Sequence, residues 1–474
     1  MKFPRIVVLI FVLTLKVKAN SHPIQTDTGP IVGEVFYTVT KSVPYFSFRG
    51  IPYAEPPVFN FRFQPPKPKK PWRETLNANS DKDKCIQSSN KNISGSEDCL
   101  YLNVYTPTNV TSESSLKPVI IWIHGGAFTT GYASKSYYGP DFLIEADVVV
   151  VTVQYRLGPL GFLNVNHPSA SGNNGLKDQN LALKWIQRNI RNFGGDPKKV
   201  TLMGQSAGGV AVDLHKLSNM SAGLFQHTIS MSASPLCTYW AFQSNVEART
   251  QAFLLGSNLG LKTDNEEELL NFLKNATAGE IIKKAGELPG IPFRPTLERA
   301  DVAPDEPKFL TECTPKLYHE GRYNKGPHMM GFTSNEILFL AKSLDDLIQY
   351  YKDAVKSINN NTLLKAIPIV SKIISIPFEG IAELKEAAFS ELIEDLSDIY
   401  FVSGIDMKQK LLYKHNNAPI YYYHYLFKSS QSAHKSAGIK NLDGVAHEDE
   451  LPHIFYRPHL DIDIFSPRIT TMRE

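Results

Sequence analysis

The chain has 474 residues, of which 42% are hydrophobic, and its formal net charge at pH 7 is +3. This composition is ordinary for a globular protein with a full hydrophobic core, and its length and lack of repeats or a convincing linker favour one large domain. The Lys and Arg residues are scattered along the chain, so we expect no nucleic-acid partner.

The N-terminus has the pattern of a secretory signal peptide. Lys2 and Arg5 precede an apolar run from Ile6 to Leu15, and Ala19 is a suitable last residue before cleavage. The run is too short to span a membrane, although an uncleaved anchor stays open as an alternative. We therefore predict that residues 1–19 are removed and that the mature protein is secreted, with no membrane span.

Secretion would expose the chain to N-glycosylation. Five N-x-S/T sequons are candidate sites, and we expect some to stay unused because the motif also arises by chance. The candidates are Asn92, Asn109, Asn219, Asn275 and Asn360.

Four cysteines would meet an oxidising compartment, and four cysteines allow three pairings. Cys85 and Cys99 lie at the two ends of a polar loop. Closing that loop with a disulfide would stabilise the fold by about 3 kcal/mol in the chain-entropy model. Cys237 and Cys313 would then either pair with each other or stay free.

Short apolar runs along the chain predict strands. Several of them lack polar alternation, which is typical of strands buried on both faces of a parallel sheet. A tyrosine-rich run near the C-terminus predicts a late strand. The predicted strands are Gly33 to Phe36, Tyr45 to Phe48, Tyr101 to Tyr105, Val119 to Ile123, Val148 to Val153, Val200 to Met203, Thr228 to Met231 and Tyr421 to Phe427.

Helical patterns lie between and after these strands. The clearest runs from Asp178 to Phe193, where Leu183 and Ile186 fall on one helical stripe. Residues 245–283 and 344–410 also have helical patterns, and we expect both outside the core sheet, partly as a lid over the functional site. The alternation of strands and helices predicts an α/β protein.

A candidate nucleophile follows the predicted strand Val200 to Met203. Ser206 lies in the string GQSAG at residues 204–208, which matches the G-x-S-x-G pattern. The glycines let the backbone turn sharply, so that the serine oxygen projects from the end of the strand. The pattern alone is weak, because chance yields it in roughly one of every seven chains of this length.

A second glycine-rich turn supports the first. The string HGGA at residues 124–127 follows the predicted strand Val119 to Ile123 and resembles the HGGG oxyanion motif. Two such turns, each after a buried strand, are much harder to obtain by chance than one.

Two later strings offer the partners that a serine nucleophile needs. A serine hydroxyl requires a histidine base, and a carboxylate orients that histidine and stabilises its charged form. Glu336 ends the string TSNE, and His447 ends the string GVAH. Because the order serine, acid, histidine is that of α/β-hydrolases, we predict an α/β-hydrolase fold with a central, mostly parallel β-sheet flanked by helices.

With these motifs in register, the chain resembles the type-B carboxylesterase and cholinesterase family from about Thr28 to its C-terminus. The resemblance includes FRGIPYA at residues 48–54, SEDCLYLN at 96–103 and NGLKDQ at 174–179. It implies hydrolysis of a small carboxylic ester through an acyl-enzyme intermediate, and a disulfide between Cys85 and Cys99. Within the family the chain looks most like insect secreted carboxylesterases.

The resemblance also implies a role for individual residues. It matches the nucleophile to Ser206, the acid to Glu336, the base to His447, the backbone donors of the oxyanion hole to Gly126, Ala127 and Ala207, and a serine near the histidine to Ser232. Ala127 departs from the family pattern, which has glycine there. Its N–H is retained, while its methyl group narrows the space beside the oxyanion hole.

The C-terminus is the largest departure from the family pattern. Family members usually continue for several dozen residues beyond the position of Glu474. Here a predicted helix start at Ser466 and Pro467 is followed by only a few residues. We therefore expect the hydrolase domain at residues 20–474 to be incomplete at this end, with apolar surface left uncovered.

Several alternatives stay open. A juvenile-hormone-type esterase is compatible with Gln205, and a catalytically impaired or non-catalytic binding protein could share the fold. A cholinesterase is disfavoured, because the loop between Cys85 and Cys99 has no tryptophan to hold a quaternary ammonium. No cluster of His, Cys and Asp residues has the spacing of a metal site, and the sequence contains no P-loop or dinucleotide-binding fingerprint. We therefore predict no metal and no cofactor. The sequence predicts neither the physiological ester nor the oligomeric state.

Overall fold

The computed structural model describes most of the chain. The described residues are 21–89, 91–107, 115–237, 240–340, 347, 349–353, 386–429, 432 and 444–460. The predictions for residues 1–19, Asn109, Asn360 and Ser466 therefore lie outside the described residues.

The described residues form sixteen strands, both in the regions that the apolar runs predicted and elsewhere in the chain. In chain order they are β1 Ile24–Gln25, β2 Pro30–Val32, β3 Glu34–Tyr37, β4 Pro44–Pro52, β5 Leu76–Asn77, β6 Gln87–Ser89, β7 Asn92–Ser94, β8 Tyr101–Thr106, β9 Lys117–Ile123, β10 Val149–Val153, β11 Asn164–His167, β12 Ala170–Ser171, β13 Gly195–Gln205, β14 His227–Met231, β15 His328–Thr333 and β16 Ile420–Tyr425. Each predicted strand overlaps one of these, which confirms those predictions.

The helices lie between and after the strands. They are α1 Asp141–Glu145, α2 Gly158–Phe162, α3 Asn174–Asn189, α4 Ala207–Leu217, α5 Asn245–Asn258, α6 Glu266–Asn275, α7 Ala278–Ala285, α8 Thr314–His319, α9 Glu386–Ser397, α10 Ser403–His415 and α11 Leu451–Ile454. A π-helical turn at Asp398–Val402 joins α9 to α10. The prediction of helices at 245–283 is confirmed, whereas much of the predicted helical region at 344–410 lies outside the described residues.

Within the described residues, nine strands form one mixed sheet in the order β16-β15-β14-β13-β9-β10-β8-β4-β3. The strands from β16 to β10 run parallel, and β8, β4 and β3 are antiparallel to their neighbours. All five residues of the interior strand β10 are buried, as expected where helices cover both faces. The predicted fold, a mostly parallel sheet flanked by helices, is confirmed.

Helix α3 begins earlier than its apolar stripe predicted. It starts at Asn174 rather than at Asp178, and its first turns are buried although they are polar. Buried ion pairs make this burial tolerable. Asp178 accepts from Arg156 Nε at 2.8 Å, and Lys177 Nζ lies 2.7 Å from a carboxylate oxygen of Glu298. Periodicity misses such a start, because it scores polar residues as exposed.

One disulfide joins two of the four cysteines. Cys85 and Cys99 form a disulfide, as the family resemblance implied. Cys237 and Cys313 are unpaired, the first buried and the second exposed. The pairing that had been left open between them is therefore not made.

A buried charge cluster joins α10 to α4 and β14. Lys408 Nζ lies 2.6 Å from Asp213 Oδ2 and donates to Ser230 Oγ and to the Ala233 carbonyl, each at 3.1 Å. Both charged side chains have no solvent exposure. Burial raises the pKa of Asp213, and the ammonium of Lys408 opposes this effect. The ammonium of Lys408 therefore stabilises the charged form of the buried Asp213 carboxylate.

We expect Lys408→Met to destabilise the protein by about 3–5 kcal/mol, because it leaves a buried charge without its partner. The matched control is Lys410→Met, which removes an ammonium 2.6 Å from Asp406 on the exposed face of the same helix. That change should cost less than about 1 kcal/mol. Urea unfolding of both variants measures the difference, and equal losses would contradict the argument.

Candidate active site

Ser206 lies at the sharp turn from β13 into α4. Its backbone has φ 58° and ψ −129°, a conformation that residues other than glycine rarely adopt. The Ser206 N–H donates to the Met231 carbonyl at the end of β14, at 2.9 Å. Such strain is typical of a nucleophile elbow, which turns the serine oxygen away from the sheet.

The elbow requires glycine at two positions because three backbone segments meet there. A Cβ at Gly208 would lie 2.0 Å from the Ile123 carbonyl oxygen, and one at Gly204 would lie 2.4 Å from the Gly208 carbonyl oxygen. Helix α4 therefore begins directly against the end of β9. This contact explains why the local pattern needs both glycines.

The HGGA turn packs against the elbow. A Cβ built on Gly125 would lie 2.9 Å from Ser206 Cβ, so the two turns touch. The Gly126 carbonyl accepts from Thr129 N and Thr130 N, each at 2.9 Å, which fixes the turn. Ala127 has φ 53°, the left-handed conformation that explains the glycine of the family pattern.

Three backbone N–H groups at this junction donate to no acceptor among the described residues. They belong to Gly126, Ala127 and Ala207. Ala207 is the first residue of α4, where helix N–H groups have no partner within the helix and the helix dipole is positive. Groups of this kind are suited to stabilise negative charge on a substrate oxygen.

His447 and Glu336 form a short, buried pair. His447 Nδ1 lies 2.5 Å from Glu336 Oε2, and Glu336 Oε1 accepts from Thr333 N at 2.8 Å. Glu336 follows β15, and His447 lies in the segment that follows β16 along the chain. The two side chains are thus brought together at the ends of neighbouring strands, although they are 111 positions apart.

The surroundings of His447 control its charge. Burial is the largest single effect and lowers the pKa of His447, but the charge of Glu336, its hydrogen bond and smaller effects of Glu448 and Glu450 together raise it by more, so the net direction is upward. The rings of Phe339 and Phe401 lie on the imidazole, each with its centroid at 4.8 Å. The imidazole therefore contacts two aromatic rings that also lie beside each other, with centroids 6.5 Å apart, while the carboxylate stabilises its protonated form.

Gln205 was not predicted as a site residue, yet it contacts the histidine directly. Its Nε2 lies 3.0 Å from His447 Nε2, and no hydrogen bond joins Ser206 Oγ to His447 within the described part of the chain. The amide can donate to Nε2 when the ring proton is on Nδ1, facing Glu336. The contact is therefore compatible with the neutral tautomer in which Nε2 is an acceptor.

Ser232, which the resemblance placed near the histidine, makes no side-chain hydrogen bond to it among the described residues. It is buried directly after β14, with φ 50°, and its N–H donates to the Gly331 carbonyl at 2.8 Å. Its Oγ has no hydrogen-bond partner among the described residues. Ser232 therefore packs beneath the elbow without a hydrogen bond to His447.

Glu450 is a second buried carboxyl group near His447 that the sequence did not single out. No other described residue forms a hydrogen bond with either of its carboxyl oxygens. Burial, followed by the charge of Glu336, raises the pKa of Glu450 to about 8. Glu450 is therefore mostly protonated at neutral pH, which avoids a second negative charge beside Glu336.

This pKa makes stability depend on pH. Because the folded pKa of about 8 exceeds the ordinary value of 4.5, the contribution of Glu450 to stability is full below pH 4.5. It is lost as the pH rises through that value to 8. We expect Glu450→Gln, which stays neutral, to be more stable than the native protein at pH 9 but not at pH 4. The difference should reach a few kcal/mol, since one pKa unit corresponds to about 1.4 kcal/mol.

Thermal melting from pH 4 to pH 9 tests this expectation. Glu448→Gln is the matched control, because it removes a carboxylate from the same turn at a partly exposed position. A constant offset between native and Glu450→Gln melting temperatures across the range would show that Glu450 does not titrate in this window.

Among the described residues, no group of three or more His, Cys, Asp or Glu side chains is arranged to hold a metal ion. No helix of the described part is both long and apolar enough to cross a membrane.

Comparisons with known proteins find a matching family and similar proteins. The carboxylesterase family model matches residues 20–469. Juvenile hormone esterase of Tribolium castaneum is 32% identical over 513 aligned positions, covering 97% of this chain and 84% of the relative. Venom carboxylesterase-6 of Apis mellifera is 33% identical, covering 90% and 79%. Esterase E4 of Myzus persicae is 35% identical, covering 87% and 76%.

A solved structure is also similar. It is the crystal structure of juvenile hormone esterase from Manduca sexta with OTFP covalently attached. The TM-score is 0.79 and the sequence identity 30%, over 93% of this chain and 84% of that one.

Proposed function

This chain belongs to the carboxylesterase family and is a serine ester hydrolase of type B, and we propose that Ser206, Glu336 and His447 perform its chemistry. The observation that chiefly supports this assignment is the buried contact of 2.5 Å between His447 Nδ1 and Glu336 Oε2. With Nδ1 bonded to the carboxylate, the other ring nitrogen is free of its proton and can act as the base.

In the first half of the proposed reaction, Ser206 Oγ attacks the ester carbonyl carbon while His447 Nε2 takes the serine proton. Negative charge develops on the carbonyl oxygen and is stabilised by the N–H groups of Gly126, Ala127 and Ala207. Each donor of this kind contributes about 3–4 kcal/mol in other hydrolases. His447 then protonates the departing alcohol, which leaves an ester between Ser206 and the acyl group.

In the second half, water attacks the acyl carbon and gives its proton to His447 Nε2. Collapse of the intermediate releases the carboxylic acid and returns the proton to Ser206 Oγ. Glu336 stays ionised throughout and stabilises the imidazolium of both halves.

Gln205 has a defined part in this scheme. Its Nε2 lies 3.0 Å from His447 Nε2, the nitrogen that must accept the serine proton. We infer that this hydrogen bond gives way when substrate binds and Ser206 Oγ approaches Nε2. Catalytic hydrogen bonds commonly tighten only in the complex with substrate.

The activity is expected to rise with pH as His447 loses its proton, because only the neutral ring can accept the proton of Ser206. Glu336 places the pKa of His447 above its ordinary value, so the midpoint of the rise should exceed about 6.5. The measurement is kcat/KM for a neutral ester between pH 5 and pH 9. A midpoint below 6.5 would contradict the assigned pair.

Two experiments test the proposed chemistry and substrate class. An organophosphate traps an activated serine, so mass spectrometry of the labelled protein should find the adduct on Ser206 and on no other serine. Steady-state kinetics on aryl, short-chain and hormone esters would then rank substrates. Two of the similar proteins are named juvenile hormone esterases, which makes a hormone ester a necessary member of that panel.

We also propose that the protein is secreted. The signal-peptide pattern of residues 1–19 supports this, and one similar protein is named for venom, a secreted fluid. Recovery of active enzyme from the medium of insect cells, with residues 1–19 absent from the mature N-terminus, is the expected result.

A further inference from the structure

A groove lies at the end of α4 that is remote from Ser206. Its volume is about 340 Å³, within the range of small-molecule sites. The residues that line it include Asn219, Lys308, Thr311 and Tyr323, together with the ion pair of Glu312 and Arg322. This groove belongs to no part of the proposed active site, since α4 has 11 residues and a rise of about 1.5 Å per residue separates its ends by roughly 16 Å.

Asn219 is both part of this groove and the first residue of a sequon. It opens a 3₁₀ turn, Asn219–Ser221, directly after α4 and is exposed to solvent. Its amide makes no hydrogen bond with the described residues. A sugar attached to this amide would therefore emerge beside the groove.

The backbone around Asn219 is firmly held. Ser221 Oγ lies 2.7 Å from His215 Nδ1 and accepts from Asn180 Nδ2 at 3.0 Å. Asn324 Nδ2 donates to the carbonyls of His215 and Ser218, each at 3.1 Å. The attachment point and one wall of the groove thus form a single rigid unit.

The other two sequons in the described residues lack this setting. Asn92 is exposed at the start of β7 in a small hairpin. Asn275 ends α6, and its amide donates to the Asn271 carbonyl at 2.8 Å. Neither residue lines the groove at the end of α4.

We propose that Asn219 is N-glycosylated and that its first sugar, an N-acetylglucosamine, packs in this groove. The partly exposed ring of Tyr323 offers an apolar surface to one face of the pyranose. Thr311 offers a hydroxyl donor to its hydroxyl and acetamide oxygens, and Lys308 Nζ, which donates to the Ala303 carbonyl at 2.6 Å, has two further N–H donors. This inference rests on the proposed secretion, because the modification takes place in the secretory pathway.

The modification joins the Asn219 amide to an oligosaccharide carried on a lipid diphosphate. Nδ2 forms a bond to the anomeric carbon and gives up one proton, the bond from that carbon to the diphosphate oxygen breaks, and the lipid diphosphate leaves. In the folded protein the Ser221 hydroxyl of the sequon is buried and bonded to His215. The transfer must therefore precede folding of this segment, and the sugar is in place when the groove forms.

The test uses the full chain secreted from insect cells. Glycopeptide mass spectrometry is expected to find the Asn219 peptide modified in most molecules. Asn219→Gln should lower the melting temperature by roughly 1–3 °C in glycosylated protein. It should have no such effect in protein made with an inhibitor of glycosylation, and kcat/KM should be unchanged. Asn92→Gln and Asn275→Gln are the matched controls, with smaller shifts expected.

Several outcomes would overturn the proposal. An unmodified Asn219 peptide beside a modified Asn92 or Asn275 would show that the wrong sequon had been chosen. An equal shift for Asn219→Gln with and without glycosylation would show that the side chain, and not a sugar, stabilises the turn. An unmodified chain at all three positions would overturn the proposal but not secretion, because the sample is recovered from the medium, and the ester assay on the same sample tests the proposed catalytic function separately.

Discussion

Ser206→Ala is expected to lower kcat/KM for ester hydrolysis by about 10⁴- to 10⁶-fold while leaving the fold intact. The hydroxyl that it removes is the atom that would form the acyl-enzyme bond, and Ser206 lies at the turn where the HGGA segment meets the first turn of α4. The variant keeps the positive φ of the elbow, because alanine and serine have similar backbone preferences. The expected loss is therefore one of chemistry and not of stability.

Steady-state kinetics with a chromogenic ester measures the loss, and circular dichroism and thermal melting report on the fold. Ser257→Ala provides the control, since it removes the same atom from an exposed position on α5. It should leave kcat/KM and the organophosphate adduct unchanged, whereas Ser206→Ala should lose the adduct. Retention of more than a few per cent of the activity by Ser206→Ala would refute the assignment.

Local sequence was sufficient for the parts of the fold that depend on local contacts. The runs that became β9, β10 and β13 are apolar because helices cover both faces of the sheet at these strands. The glycine-rich turns after β9 and β13 were recognisable because close backbone approaches require glycine at fixed spacing. Both signals lie within a few residues of the feature that they predict.

Strand β15 was not predicted, because the constraint on its sequence comes from a distant segment of the chain. Its sequence contains Gly331, and glycine in the interior of a strand weakens the usual pattern. The structure explains the residue, since a Cβ there would lie 2.3 Å from the Tyr423 carbonyl oxygen on β16. The constraint comes from a strand about ninety positions away, which no local pattern reveals.

The same limit applies around His447. Family resemblance pointed to Ser206, Glu336 and His447, but Gln205, Phe401 and Glu450 emerged only from contacts between distant segments. Nothing in the local sequence around Phe401 distinguishes it from an ordinary core aromatic residue. It reaches the imidazole because the π-helical turn Asp398–Val402 holds it beside the segment that follows β16.

Glu336→Gln is the prediction that separates the charge of the acid from its shape. A glutamine can still accept from Thr333 N, but its amide would donate to His447 Nδ1. The ring proton would then move to Nε2, which could no longer accept the proton of Ser206. We expect kcat to fall by about 10⁴-fold, as when the acid of other serine hydrolases is replaced by its amide.

The pH profile distinguishes this loss from simple disruption. Glu336 raises the pKa of His447 against the lowering effect of burial, so removing its charge leaves burial to dominate. The midpoint of the rise of residual activity with pH should therefore lie at a lower pH than in the native enzyme. Glu448→Gln, which removes a carboxylate one residue from His447, should move it in the same direction by much less and keep kcat near the native value. A profile of Glu336→Gln that moves upward or stays in place would show that His447 does not depend on Glu336 for its charge, and the proposed pair would fail as the base of the reaction.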